Sequence, residues 1–160
     1  MFAICVTLLS SQLQASQNAA IVLDANTEEV LYERNSDYRS HPAGLTKLIT
    51  LYAAYSAVSD GTLSLDDDIK ISSKAANEPP VTLGLREGSE IKLMYLVRAV
   101  AVQGANDAST AIAEALDVSE LAFLERLEKH SSELGLSKST WKNAHGLTKV
   151  GHFSTAHDIA

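Results

Sequence analysis

The residues with the clearest potential for chemistry lie at the start of a predicted helix. Lys47 follows Gly44 by three positions, shortly after Pro42, and residues three apart on a helix share one face. A serine at position 44 would lie beside Lys47, which could act as its base. The helix N-terminus would lower the pKa of that lysine and stabilise negative charge on an attacked carbonyl. Gly44 has no side-chain atom, so the chain has the base position of such a pair without its nucleophile.

Taken one at a time, these residues have simpler explanations. Lys47 alone is typical of a solvated surface lysine, and Gly44 alone is typical of a loop glycine. Asn106, which precedes another predicted helix, is more often an N-cap than a substrate ligand. Thr46 is a poor substitute nucleophile, because on a helix it points about 100° away from the face of residues 44 and 47.

Three histidines near the C-terminal end do not form a recognisable metal motif. His145, His152 and His157 lack the i,i+4 spacing of a helical zinc site, and no carboxylate pattern completes one. The only cysteine is Cys5, which excludes a disulfide framework and a cysteine-based zinc site. The sequence therefore predicts no metal and no cofactor.

The composition is that of an ordinary globular protein. The 160 residues are 46% hydrophobic and 21% charged, which argues against a disordered chain. Thirteen Lys and Arg residues against twenty Asp and Glu residues give a net charge of −7. Since no basic cluster is present, we expect no nucleic-acid partner. No apolar run approaches the ~20 residues of a membrane-spanning helix.

The first fifteen residues have features of an export signal. The apolar segment Phe2–Leu9 precedes the small and polar segment Ser11–Ala15, which could end in a cleavage site. Positive charge is missing before the apolar segment, since Arg34 is the first basic residue. A buried N-terminal helix or strand is the alternative. Cleavage after residue 15 would remove Cys5, which suits an oxidising periplasm.

Hydrophobic patterning predicts a hairpin followed by a helical block. Ala20–Asp24 and Glu29–Glu33 are β-prone runs joined by a polar turn. The pattern further predicts a strand over Ile69–Ile71 and four helices, over Leu45–Ser59, Glu90–Gln103, Asp107–Leu116 and Ser119–Leu134, the last of which ends at Gly135. An extended segment follows at Thr140–Lys142, in which we expect Trp141 to be half-buried. A final helix, capped by Ser154, runs to Ala160. A two-stranded hairpin is not stable as a sheet alone, so we expect the first part of a larger α+β domain.

Several segments together resemble one known family. In chain order they are Ala19–Asp24, Pro42–Thr50, Ser64–Asp68, Pro79–Gly84, Val102–Asp107, Gly135-Leu136 and Ser154–Ala160. They resemble the N-terminal portion of the D-alanyl-D-alanine carboxypeptidases (peptidase S11), which are low-molecular-mass penicillin-binding proteins. The family motif Ala-Ser-Leu-Thr-Lys corresponds to Ala43–Lys47, with Gly44 in place of the serine. The motif Ser-x-Asn corresponds to Gly104-Ala105-Asn106, and the third motif, Lys-Thr-Gly, would lie beyond residue 160.

The resemblance implies an α+β fold of the penicillin-binding protein and serine β-lactamase type. In that fold a helical block packs on an antiparallel sheet, which this chain would encode only in part. Residues 16–160 would form the N-terminal part of a transpeptidase-like domain, truncated before the third motif. The resemblance assigns Gly44 to the lost nucleophile and Lys47 to the general base. It assigns Gly104 to the lost serine of the second motif, and Asn106 to catalysis and substrate binding.

The resemblance also implies a function in the bacterial cell wall. Family members trim the terminal D-Ala from peptidoglycan stem peptides through an acyl-enzyme, and they bind penicillin covalently. For this chain it implies a serine-type carboxypeptidase impaired by Gly44 and Gly104; the alternative is a non-catalytic peptidoglycan-binding or scaffold protein. His145 replaces a family serine and Thr148–Val150 replaces Pro-Asp-Pro, which weakens the case for catalysis. The implied ligands are stem peptides or β-lactams, the implied location is the periplasm, and any peripheral membrane association would involve sequence beyond residue 160.

Overall fold

The computed structural model describes residues 18–160, so the predicted export signal lies outside the described residues. The strands are β1 (Ala20–Leu23), β2 (Val30–Arg34), β3 (Asp68–Lys70) and β4 (Glu90–Lys92). The α-helices are α1 (Thr46–Ser59), α2 (Ser73–Ala76), α3 (Leu93–Arg98), α4 (Asn106–Leu116), α5 (Glu120–Leu134) and α6 (Ala156–Ile159). A 3₁₀ turn, Ala43–Leu45, leads into α1, and a π-helical turn, Ala99–Gln103, follows α3.

Helices α1, α4 and α5 pack together around the core. Ala53 and Ala57 of α1 and Ala108 and Ala111 of α4 are buried, and such small side chains let helix axes approach closely. Phe123 of α5 is also buried, which contributes about 1.5–3 kcal/mol relative to an exposed ring. This close packing holds the start of α1 against the start of α4, where the candidate site lies.

Three of the four long predicted helices, over Leu45–Ser59, Asp107–Leu116 and Ser119–Leu134, are confirmed to within a residue at each end. Both ends of α5 have the local signals on which the prediction was based. At its start, the Ser119 hydroxyl accepts a hydrogen bond from the Ala122 N–H at 3.1 Å. At its end, Gly135 adopts the left-handed conformation at φ 78°, where glycine carries no steric penalty. Within residues 18–160, no helix combines the length and apolar character needed to cross a membrane.

The strands form two antiparallel pairs, β1 with β2 and β3 with β4. The predicted N-terminal hairpin is confirmed, with Val22 opposite Tyr32. Val30, Leu31 and Tyr32 are all exposed, so consecutive apolar residues on β2 remain uncovered on both of its faces. In the second pair, Ile69 lies opposite Ile91.

The prediction of one helix over Glu90–Gln103 was wrong at its start. Residues 90–92 instead form β4, because the alternating sequence Glu-Ile-Lys pairs with β3 and places Ile91 beside Ile69. The helix begins only at Leu93. The conformation of this short segment, helix or strand, thus depends on pairing with a strand that is distant in the sequence. Local patterning does not reveal such a partner.

Two predictions near the C-terminal end also differ from the structure. The N-cap of α6 is Thr155, whose hydroxyl accepts from the Asp158 N–H at 3.0 Å, whereas Ser154 pairs with Ser40 in an isolated antiparallel bridge. Trp141 is 1% exposed rather than half-buried. Its indole Nε1 donates to the Ser131 hydroxyl at 2.6 Å, which satisfies the one polar atom of a fully buried ring.

Candidate active site

One cleft brings together the four positions assigned from the sequence motifs. Gly44 lies in the 3₁₀ turn before α1, and Lys47 lies in the first turn of α1. Gly104 lies in the bend before α4, and Asn106 is the first residue of α4. The cleft has a volume of about 650 Å³. Apolar side chains make much of its wall: Leu45, Leu48, Leu51, Val81, Val100, Val102 and Leu147. Positions 44 and 47 therefore open onto the same space, as their spacing predicts.

The Lys47 side chain is buried in the first turn of α1 and is held by two acceptors. Its Nζ donates to Oδ1 of Asn106 at 2.8 Å and to the backbone oxygen of His145 at 2.6 Å. Burial lowers the pKa of Lys47 from its ordinary value, because desolvation penalises the ammonium form. The pKa of Lys47 is therefore lowered, as the sequence predicts, but the cause is burial and not the helix N-terminus. Lys47 is 8% exposed, so the solvated-lysine alternative was wrong.

Asn106 is the first residue of α4, and both ends of its amide have partners. Because Oδ1 accepts from Lys47, the amide nitrogen is the atom that donates to the Pro79 oxygen at 2.9 Å. The backbone N–H of Asn106 donates to the Val81 oxygen at 2.7 Å. The N-cap position belongs to Ala105, so the simple N-cap alternative was wrong. Asn106 instead joins α4 to Lys47 and to the segment around Pro79.

The two motif glycines leave open space in the cleft. A Cβ atom built on Gly44 or on Gly104 would meet no atom within 4 Å beyond the adjacent residues. The backbone of Gly44 is outside the left-handed region, so a serine fits there without backbone strain. Gly104 has φ 72° and ψ 33°, where a side chain costs about 1–2 kcal/mol. Position 44 can therefore accept a serine more readily than position 104.

The Thr46 hydroxyl is turned away from the cleft, as helical geometry predicts. Nδ1 of His152 accepts from the backbone N–H of Lys142 at 3.3 Å, which leaves the proton on Nε2. Nε2 therefore donates to the Thr46 hydroxyl at 2.9 Å. Burial, with smaller contributions from neighbouring cations, lowers the pKa of His152 to about 4. The neutral ring donates to Thr46 and is not placed to act as its base.

His145 lies between the cleft and a carboxylate that the sequence analysis missed, that of Glu78, whose side chain is 10% exposed. Its Nε2 is 3.5 Å from Oε2 of Glu78, and its Nδ1 accepts from the Leu147 N–H at 3.2 Å. Glu78 also accepts a hydrogen bond from Thr110 at 2.7 Å. Burial lowers the pKa of His145, and the Glu78 carboxylate opposes part of that shift. Both ring nitrogens of His145 are thus engaged, and its contribution to the cleft is the carbonyl that holds Lys47.

The three histidines considered for metal binding have separate surroundings. His145 contacts Glu78, His152 bonds Thr46, and His157 is exposed on α6. Across the part of the chain that the structure describes, no group of three or more His, Cys, Asp or Glu side chains is placed to hold a metal ion.

The chain is similar in sequence to one known protein family and to several curated proteins. A family model described as D-alanyl-D-alanine carboxypeptidase matches residues 7–160. The chain belongs to this family, peptidase S11. Among curated relatives, the D-alanyl-D-alanine carboxypeptidase DacF of Bacillus subtilis is 34% identical over 151 residues, which are 94% of this chain and 39% of the relative. The chain spans about two fifths of the length of the curated relatives it matches.

Solved structures of a D-alanyl-D-alanine carboxypeptidase and of a penicillin-binding protein share the fold. The D-alanyl-D-alanine carboxypeptidase DacD of Francisella tularensis superposes with a TM-score of 0.88 at 28% identity, covering 99% of this chain and 38% of that one. Penicillin-binding protein D2 of Listeria monocytogenes, in its ampicillin-bound form, gives 0.78 at 30% identity, covering 92% and 60%. The predicted fold class is confirmed: this S11 chain has the α+β fold of the penicillin-binding proteins, with only part of the sheet present.

Asp107 holds the loop that follows the cleft residues Pro80 and Val81. This buried carboxylate accepts hydrogen bonds from the backbone N–H groups of Leu83, Gly84 and Leu85 at 2.9, 2.9 and 3.1 Å, and also from Ala108 at 2.8 Å. It thereby ties the loop that follows Pro79 to the start of α4. An acidic residue in the first turn of a helix was visible in the sequence, but its loop partners, more than twenty residues earlier, were not.

Gly146 allows the backbone of its loop to pass close to Ala43 at the cleft. A Cβ atom at this position would lie 1.7 Å from the backbone oxygen of Ala43, and Gly146 has φ 87°. Ala43 itself has φ 47°, in the left-handed region that alanine rarely adopts. The residue before position 44 is therefore fixed by contact with the loop that carries His145.

Proposed function

We propose that this chain is a D-Ala-D-Ala carboxypeptidase homologue of the bacterial cell wall that has lost the acylation step. The ligand that we propose is that of the family: the D-Ala-D-Ala end of a peptidoglycan stem peptide, or a β-lactam that mimics it. It places recognition in the cleft of Lys47 and Asn106. The observation that carries it is Gly44, which opens onto that cleft at the position from which a serine would attack.

Acyl transfer in this family requires a nucleophile and a base that act together. Lys47 occupies the base position, and its Nζ contacts Asn106 Oδ1 and the His145 oxygen. Among residues 18–160 it forms no hydrogen bond with a hydroxyl. Glycine offers no atom to attack a carbonyl, and loss of the nucleophile in comparable serine hydrolases costs on the order of 10⁶ in kcat. Thr46 does not substitute for it, because its hydroxyl is fully buried against His152.

Binding without acylation is supported by what remains of the cleft. Its volume of about 650 Å³ is within the range of small-molecule sites, and Asn106 is held rigidly at its edge. Glycine at positions 44 and 104 enlarges the space by two hydroxymethyl groups. A non-catalytic peptidoglycan-binding or scaffold protein is therefore the role we favour over a working carboxypeptidase. We place it outside the cytoplasm, exported by residues 1–15, with any peripheral membrane association through sequence beyond residue 160.

The test is intact-mass spectrometry of the purified full-length protein after incubation with ampicillin. We expect no ester adduct on the unchanged protein and an adduct on Gly44→Ser, since that serine fits without strain beside Lys47. Gly44→Ala is the matched control, because it adds the same Cβ without a hydroxyl. Hydroxylamine distinguishes the chemistry, as it releases ester-linked acyl groups and leaves amides in place.

Two results would overturn the proposal. One is a hydroxylamine-labile adduct on the unchanged protein, which would reveal another hydroxyl nucleophile. The other is a folded Gly44→Ser protein, alone and combined with Gly104→Ser, that forms no adduct; the cleft would then not be a disabled acylation site. Circular dichroism checks that each variant is folded.

A further inference from the structure

The protein contacts of Lys47 are compatible with a neutral amine, because they offer two uncharged acceptors. An ammonium has three N–H donors, whereas a neutral amine has two and one lone pair. Two acceptors contact Nζ, Oδ1 of Asn106 and the backbone oxygen of His145. Both acceptors are uncharged, and among residues 18–160 no carboxylate oxygen lies within 4 Å of this Nζ. Two N–H groups fully supply two acceptors, which leaves the lone pair uncommitted.

The surroundings of Lys47 favour the same protonation state. The residue is 8% exposed, and this burial lowers its pKa because an ammonium loses hydration there. An exposed lysine with a pKa of ~10.4 is almost entirely protonated at pH 7. Lys47 therefore has a larger neutral fraction than an exposed lysine of the same chain, and only the neutral amine is a nucleophile.

The cleft leaves room for a small reactant beside this amine. Gly44 and Gly104 have open space where a Cβ would stand, and Leu48 and Val102 provide apolar walls. Both positions at which the family has a serine hydroxyl are glycines here, so no motif hydroxyl competes with the amine for an electrophile. A small, uncharged, apolar carbonyl compound fits these surroundings.

We propose that Lys47 is itself a nucleophile of this cleft and condenses with small apolar aldehydes to form an imine. The lone pair of Nζ attacks the carbonyl carbon, and a proton passes from nitrogen to the resulting alkoxide. Protonation of that hydroxyl by solvent lets water leave as the C=N bond forms. The remaining N–H proton then returns to solvent, so one amine and one aldehyde give one imine and one water. This reactivity goes beyond the proposed function, which concerns only recognition of acyl donors in the same cleft.

Reductive alkylation with butanal and sodium cyanoborohydride tests the proposal on the full-length protein. The hydride reduces each imine to a stable N-butyl amine, and peptide mapping measures the rate at each lysine. At pH 7 we expect Lys47 to react at least roughly tenfold faster than Lys129, whose side chain is 74% exposed. Lys129 is an internal reference, so this comparison needs no variant.

The second part of the experiment measures the same rates in the variant Asn106→Asp. It keeps an acceptor oxygen next to Nζ but adds a negative charge that holds Lys47 as an ammonium. The Lys47 rate should fall roughly tenfold at pH 7 while the Lys129 rate stays the same, with near-UV circular dichroism confirming the fold. Equal rates at Lys47 and Lys129 in the folded, unchanged protein would overturn the proposal, as would a fast Lys47 reaction that survives Asn106→Asp. Neither rate depends on acylation of Gly44→Ser, so failure here and failure of the proposed function are separate results.

Discussion

The Nζ atom of Lys47 lies 2.8 Å from Oδ1 of Asn106, although 59 residues separate the two in the chain. This hydrogen bond joins the first turn of α1 to the first residue of α4, at the two places where the sequence predicts the family's first and second motifs. The two helix starts are thus held together at the cleft by a polar contact between groups that are almost wholly buried.

Replacing Asn106 by alanine should destabilise the fold as well as open the cleft. The change leaves Lys47 Nζ without one acceptor and the Pro79 oxygen without its donor. A buried group left unpaired costs about 1–3 kcal/mol, and Pro79 is exposed, so water can replace much of its lost hydrogen bond. We therefore expect a loss of about 1–4 kcal/mol in the free energy of unfolding, measured by urea titration. Asn26→Ala, on the exposed hairpin turn, is the control and should change stability by less than about 0.5 kcal/mol. A loss at Asn106 no larger than that of the control would contradict the pairing described.

Asp107→Ala should release the loop that it holds. Three consecutive N–H groups, of Leu83, Gly84 and Leu85, would lose their acceptor, and hydrogen bonds to a charged group contribute about 1.5–3 kcal/mol each. Because Leu83 and Gly84 are exposed, water can replace part of the lost hydrogen bonds, and we expect a loss of about 3–5 kcal/mol, less than the sum of three such bonds. We also expect faster proteolysis between residues 79 and 88. Asp66→Ala is the matched control, since that carboxylate is 83% exposed. Unchanged proteolysis in Asp107→Ala would show that the loop is held by other contacts.

Local patterning predicted the elements that carry strong local signals. Helix α5 has a serine N-cap, an apolar stripe and Gly135 at its end, and each of these signals acts within a few residues. The segment Glu90–Lys92 has no such signal, and its strand conformation depends on pairing with residues 68–70. Elements decided by partners within one turn were therefore predictable, and those decided by distant partners were not.

The same distinction applies to the candidate site. The spacing of Gly44 and Lys47 predicted a shared face because both belong to one helix start. The contacts of Lys47 with Asn106 and His145 span 59 and 98 residues, and they depend on how α1, α4 and the 143–148 loop pack. Glu78 could not have been identified from spacing, since its partners Thr110 and His145 come from two distant segments.

Gly146→Ala should be among the most damaging single substitutions in this chain. The added methyl carbon would overlap the Ala43 oxygen at 1.7 Å, and φ 87° disfavours any side chain. We expect a loss of more than about 3 kcal/mol, since overpacking alone costs about 1–3 kcal/mol and left-handed strain adds about 1–2 kcal/mol. Gly61→Ala is a matched control, because it has φ 79° with no atom within 4 Å of the added carbon and should show only the strain. Equal losses in thermal or urea unfolding would mean that the loop can move away from Ala43 at little cost.

His152 should make the protein less stable as the pH falls below neutrality. Its pKa is lowered from 6.5 to about 4 in the folded state because the ring is buried. Above pH 6.5 the ring is neutral in both states and contributes no pH dependence. Between pH 6.5 and pH 4 the unfolded chain takes up a proton that the folded chain does not, so the free energy of unfolding decreases by up to about 3 kcal/mol across that window.

His152→Gln isolates this contribution, because glutamine can still donate to the Thr46 hydroxyl and does not titrate. The measurement is urea unfolding at intervals from pH 4 to pH 8 for both proteins. The difference between the two curves removes the other titrating groups, including His145, whose pKa burial also lowers. We expect the glutamine variant to lose less stability between pH 6.5 and pH 4, with the two curves parallel above pH 7. Parallel curves over the whole range would mean that His152 is protonated as easily in the folded protein as in the unfolded chain, which would contradict the lowered pKa.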